Sequence, residues 1–110
     1  MKLLKEHIYG NLSLKEIADT LGYGKTYLSI IFKKVYGMSI MTCYTKLKIE
    51  EAKYLIRGNT MSIAEISSLL GFSSPQYFSK RFRQFVHIPP KQYEVSIKET
   101  WISSTEENPK

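Results

Sequence analysis

Ser62-Ile63-Ala64-Glu65-Ile66-Ser67-Ser68-Leu69-Leu70-Gly71-Phe72 repeats, at an offset of 49, the stretch Ser13-Leu14-Lys15-Glu16-Ile17-Ala18-Asp19-Thr20-Leu21-Gly22-Tyr23. In each copy a serine is followed three residues later by glutamate, the reciprocal arrangement that satisfies free amides at a helix start. Leu14, Ile17, Ala18 and Leu21 then recur at i, i+3, i+4 and i+7, as do Ile63, Ile66, Ser67 and Leu70 with one polar interruption. Each run therefore reads as a helix of about two turns. Gly22 and Gly71 end these helices, because glycine adopts the left-handed conformation that closes a helix without strain. With one residue inserted, the match resumes at an offset of 50 and pairs Tyr27 with Tyr77, Ser29 with Ser79, Phe32 with Phe82 and Lys33 with Arg83. Two copies are too few for a solenoid, so this is a duplicated supersecondary unit.

A second helix opens within three or four residues of each glycine, at Lys25-Thr26 in the first copy and at Ser74-Pro75 in the second. Ser74 supplies a capping hydroxyl, and proline fits the first helical position, where its missing N–H is not needed. The expected apolar stripes are Leu28, Ile31, Phe32 and Val35, and then Phe78, Phe82 and Phe85. Helix, short glycine-bearing turn and helix make a helix-turn-helix. Between the copies no glycine or proline interrupts residues 39–57. They predict one helix about 27 Å long, a strut able to hold two reading helices about 34 Å apart, the repeat of the major groove.

The flanks complete an all-α expectation of about seven helices. Residues 2–9 predict an opening helix with Leu3, Leu4, Ile8 and His7 facing inward, and Pro89-Pro90 predicts a short final one. On this reading residues 1–98 form the domain: 1–38 the first helix-turn-helix subdomain, 39–57 the linker helix and 58–98 the second subdomain. Residues 99–110 are expected to be a polar, disordered tail from which Trp101 either docks on the core, the favoured reading, or stays in the tail.

Composition narrows the chemistry. A chain of 110 residues with 43% hydrophobic side chains can bury the core of one domain. Sixteen Lys and Arg against ten Asp and Glu leave +6, and since residues 94–110 sum to −2, residues 1–93 carry +8. A basic body of this kind favours a polyanion. The lone Cys43 cannot form an internal disulfide, which fits a reducing cytoplasm, and it is expected to pack on the strut. Cys43 with His7 and His87 makes no spaced metal set, no convergent titratable cluster points to an enzyme, and no apolar run reaches membrane-spanning length.

The sequence resembles the DNA-binding domain of the AraC/XylS family of bacterial transcription regulators. The resemblance rests on Ile63-Ala64-Glu65-Ile66, Gly71-Phe72-Ser73-Ser74, Tyr77-Phe78-Ser79-Lys80-Arg81-Phe82-Arg83 and Pro90-Lys91-Gln92-Tyr93. Upstream it extends through Gly22-Tyr23, Tyr27-Leu28-Ser29 and Phe32-Lys33-Lys34 to Tyr44, Lys48-Ile49, Ala52 and Leu55-Ile56. It covers residues 2–95 and implies two helix-turn-helix subdomains on a long helix, each with its second helix in a major groove. There are three departures: Ile30 stands where many members carry Arg, His87 where Gly is usual, and Glu94 where Arg or Lys is usual.

Candidate site residues follow from both readings. Gln76, Ser79, Lys80 and Arg83 form an i, i+3, i+4, i+7 row, with Gln76 suited to adenine and Lys80 to guanine. Thr26, Ser29 and Ile30 align with positions that the family uses at base edges, where Ile30 would meet a thymine methyl or merely position the protein. Lys25, Lys33, Lys34, Ser74, Arg81 and Arg83 are candidate phosphate contacts, and the helix-start amides near Ser13, Ser62 and Ser74 are further ones. The resemblance implies double-stranded promoter DNA and RNA polymerase as partners, transcription activation, a monomeric module serving as output domain of a larger regulator, nucleoid association when bound, and no cofactor. The alternative is a basic helical module that binds RNA or a protein partner.

Overall fold

The computed structural model describes residues 1–107, with side chains through Lys98. Seven helices and no strand occur among the described residues: α1 Lys2–Glu6, α2 Leu14–Leu21, α3 Lys25–Tyr36, α4 Ile40–Gly58, α5 Ile63–Leu69, α6 Pro75–Val86 and α7 Pro90–Glu107. Both capping boxes form. Ser13 Oγ accepts from the Glu16 amide at 3.1 Å, and Ser62 Oγ accepts from the Glu65 amide at 3.1 Å, while each glutamate accepts from its serine's amide in return. The hydrogen bonds from Ser62 hold the Glu65 carboxyl below its ordinary pKa. Gly22 lies at φ +76° and Gly71 at φ +77°, the left-handed conformation expected at these stops.

Two apolar cores share α4. The first joins Leu4, Ile17, Ala18, Leu28 and Phe32 to Ile40, Cys43 and Tyr44; the second joins Ile66, Leu70, Phe78 and Phe82 to Ile49, Ala52 and Ile56. At 100° per residue the α4 stripe of the first core is centred about 160° around the helix from that of the second. Cys43 is buried in the first core, as a packing residue of the strut.

Four expectations change. Helix α1 ends at Glu6 rather than running to residue 9, and His7 is exposed, with its ring Nδ1 2.9 Å from the Leu3 carbonyl. Residues 7–10 form a loop against α4, in which Tyr44 donates its hydroxyl hydrogen to the His7 carbonyl at 2.5 Å and Tyr9 donates to Glu51. That second hydrogen bond, more than burial, lifts the Tyr9 phenol to about 12. The apolar stripe of α3 is narrower than its sequence suggests, since Ile31 is 39% and Val35 68% exposed, and Leu21 at the end of α2 is also exposed. In the second subdomain α7 lays Tyr93 against Phe82, ring centroids 5.5 Å apart, and Phe85, the counterpart of Val35, is half-buried. At the same offset of 50, Cys43 of α4 stands where Tyr93 of α7 does, a smaller side chain beside Phe32 than the tyrosine ring beside Phe82. Finally, α7 is long, because no glycine or proline occurs between Lys91 and Asn108, and it takes in residues 99–107 of the expected tail. Residues 108–110 and the docking of Trp101 lie outside the described residues.

Gly71 has a second role. A Cβ there would overlap the Gly10 carbonyl oxygen and sit 2.6 Å from its carbon, whereas a Cβ at Gly22 meets nothing within 4 Å. Gly22→Ala should therefore destabilise by about 1 to 2 kcal/mol through left-handed strain alone. Gly71→Ala, which adds a backbone clash, should destabilise by about 2 to 5 kcal/mol. Urea unfolding of the two variants side by side checks the difference; equal losses would refute the close approach.

Candidate nucleic-acid interface

Aromatic packing fixes which face of α6 is free. Phe78 and Phe82 are fully buried, with Phe72 at 5.0 Å from Phe78 and Phe78 at 5.8 Å from Phe82 between ring centroids. At the start of the helix, Ser74 Oγ accepts from the Tyr77 amide at 3.0 Å, with Pro75 in the first turn. Ser67, the polar interruption in the α5 stripe, is buried and donates its hydroxyl hydrogen to the Ser74 carbonyl at 3.2 Å. A hydroxyl on an apolar stripe thus ties α5 to the turn that launches α6. Its periodic position marks it only as an anomaly; the acceptor comes from the turn.

With that face buried, Gln76, Ser79, Lys80 and Arg83 come together on the other side, within about 100° of arc. They line an open groove of about 570 Å³ that continues over Gln84 and His87 to Pro89. Gln84 and His87 are not among the sequence candidates, although Gln84 adjoins Arg83 and His87 stands one turn beyond the row. Arg81 is not brought to this face. It falls about 150° from the centre of the row, stacks its guanidinium 5.4 Å from the Phe85 ring and donates to Gln84 Oε1.

The same register holds on α3, where Thr26, Ser29, Ile30 and Lys33 correspond to Gln76, Ser79, Lys80 and Arg83 at an offset of 50. Ile30 is 61% exposed at the place of Lys80, and Lys25 and Lys34 flank the row on either side, both exposed. The second row offers three nitrogen-bearing side chains to a polar ligand; the first offers a hydroxyl pair, an apolar branch and one lysine.

Helix starts divide into two electrostatic kinds. Those of α2 and α5 carry a glutamate in the first turn that accepts from the capping serine's amide and disfavours an anion, while α3, α4 and α6 have no acidic residue in the first turn. Only the α6 start, at Ser74, thus keeps the anion-attracting character expected of all three helix-start serines. Near the last helix Glu94, which is half-buried, pairs with Lys91 at 3.3 Å, so its charge is locally offset. Among the described residues no group of three or more His, Cys, Asp or Glu is placed to hold a metal ion, and no helix is long and apolar enough to cross a membrane.

Comparison with known proteins agrees with this arrangement. Residues 17–95 match a family described as a helix-turn-helix domain. The Msm operon regulatory protein of Streptococcus mutans is 30% identical over 96 residues, which cover 87% of this chain and 34% of that protein. The chain thus spans about a third of that relative's length. A solved transcriptional regulator of the AraC-type DNA-binding group from Chromobacterium violaceum superposes with a TM-score of 0.80 at 28% identity, over 87% of this chain and 86% of that one. The DNA-binding domain of AdpA, solved in complex with a target DNA, shares the fold with a TM-score of 0.85 at 17% identity, over 90% of this chain and 89% of that one.

His87 closes α6 in the left-handed conformation at φ +74°, where the first copy has Gly37 at φ +75°. A side chain with a Cβ is strained there. His87→Gly should raise stability by about 0.5 to 1 kcal/mol, the relief of strain being partly offset by the greater freedom of the unfolded chain. A thermal melt that shows no gain would contradict that strain.

Proposed function

The chain belongs to the AraC/XylS family of helix-turn-helix regulators, and on that premise we propose that it binds double-stranded DNA sequence-specifically, placing α3 and α6 in successive major grooves to regulate transcription. The observation that carries this reading is the pair of outward rows in matching register, on two helices built from a duplicated unit and held by one continuous strut. The molecule is 57 Å long and 27 by 22 Å across, dimensions that suit a span of two grooves on one side of a duplex. The net charge of +6 supplies the sequence-independent attraction.

Within this reading Gln76 and Lys80 read base edges in one groove with Ser79 beside them, while Thr26, Ser29 and Ile30 form the weaker reader in the other. Lys25, Lys33, Lys34 and Arg83 meet phosphates, together with the Ser74 end of α6. Arg81, engaged with Phe85 and Gln84, meets a phosphate from beside the row rather than from within it. The module acts as a monomer in the bacterial cytoplasm on nucleoid DNA, as the output part of a longer activator in contact with RNA polymerase. The match to only 34% of the Streptococcus mutans regulator supports a place within a longer chain.

Selection of bound sequences from a random duplex library should return two short elements about one helical turn apart. Binding must also weaken steeply with salt and favour duplex DNA over single-stranded RNA of equal length; preference for RNA at every salt concentration would refute the proposal. On the selected duplex, Lys80→Ala should cost about 1 to 3 kcal/mol and relax the preference at one base pair, whereas Arg83→Ala should weaken all duplexes alike and flatten the salt slope by about one. Equal losses on selected and random DNA for Lys80→Ala would remove it from the readers.

A further inference from the structure

Lys48 is the one charged side chain buried in the interior of the described residues, 5% exposed, and it lies between the two cores. On α4 it falls about 90° from the first core's stripe and about 70° from the second's. Its ammonium donates to two backbone carbonyls, Gly10 in the loop of the first subdomain and Leu70 at the end of α5 in the second. The rings of Tyr44, 4.5 Å away, and Phe72, 5.7 Å away, face the same nitrogen, one from α4 and one from the turn that leads to α6. Lys48 makes none of the ion pairs among the described residues, and burial pushes its pKa down to about 8.

We propose that Lys48 is a positioning residue that locks the two subdomains in one relative orientation and thereby sets the spacing of DNA elements the protein accepts. The inference rests on the two-groove reading above for its DNA part, and on geometry alone for the lock. A buried ammonium is unfavourable unless its donors are satisfied, so the burial itself is weak evidence for stability, and it is the two directed hydrogen bonds that specify an arrangement. The Gly10 and Leu70 carbonyls belong to different subdomains, so both can be met at one nitrogen only while the subdomains hold one mutual position. The direct approach of Gly71 to the Gly10 backbone narrows that position further. The two cores meet α4 on nearly opposite faces, and an apolar joint there would tolerate sliding; two directed hydrogen bonds to one charge do not.

Two readouts test the lock. Spin labels on Lys15→Cys in α2 and Ser68→Cys in α5, in a Cys43→Ala background, report the distance between subdomains in the free protein. The parent should give one narrow distribution, Lys48→Met a distribution at least about twice as wide, and Lys48→Arg a narrow one. Should Lys48→Met not fold, as judged by its helical circular dichroism, Lys48→Gln is read in the same way. On the selected duplex, inserting one base pair between the elements turns them by about 34° and shifts them by about 3.4 Å. That insertion should weaken the parent about tenfold or more and Lys48→Met by less than about threefold, because a loose joint loses the advantage of linked binding but also its sensitivity to spacing. A folded Lys48→Met with a distribution as narrow as the parent's overturns the lock whatever DNA does. A broadened distribution in a protein whose parent form is itself indifferent to spacing overturns the two-groove reading and leaves the lock standing.

Discussion

The shared burial of α4 is the constraint on which everything else in this molecule depends. Neither half, at roughly fifty residues, has enough apolar surface to be comfortably stable alone. Ile40, Cys43 and Tyr44 close one core and Ile49, Ala52 and Ile56 the other, so the same helix is hydrophobic on two faces about 160° apart. The consequence is mechanical as well as thermodynamic. A helix whose N-terminal half completes one core and whose C-terminal half completes the other transmits the position of α3 to α6.

From that constraint the division of labour between helices follows. Helices α2 and α5 present a capped, carboxylate-bearing start and pack inward through Ile17 and Ile66. Helices α3 and α6 keep their starts free of acid and turn a polar row outward. The start of the supporting helix thus disfavours an anion, and that of the exposed one does not. The copies then diverge in detail. Lys80 and Arg83 make the second face the richer in donors, and Ile30 gives the first an apolar branch in place of a lysine.

Much of this was legible in the chain itself. The serine–glutamate spacings, the glycines at 22 and 71, Ser74-Pro75 and the uninterrupted run after Ser39 each report a backbone requirement satisfied within a few residues, and all of them are met. The row Gln76, Ser79, Lys80 and Arg83 was also legible, because a helical period assigns a face whenever the opposite face is as plainly apolar as Phe78 and Phe82. Where the apolar pattern was broad, as on α3, period alone did not say how much would be covered. Ile31 and Val35 belong to the right stripe but lie at its edge and stay 39% and 68% exposed, because the core closes over Leu28 and Phe32.

Helices, their caps and their faces are therefore properties of the sequence, because the groups that satisfy one another lie three or four residues apart. The direction taken by Arg81, the tether from Ser67 to Ser74 and the burial of Lys48 were decided by tertiary structure. In the last case the acceptors come from residues 38 positions before and 22 positions after the lysine. A lysine at that place on a long helix looks like any solvated charge until two distant carbonyls are brought to it, and no local pattern encodes their arrival.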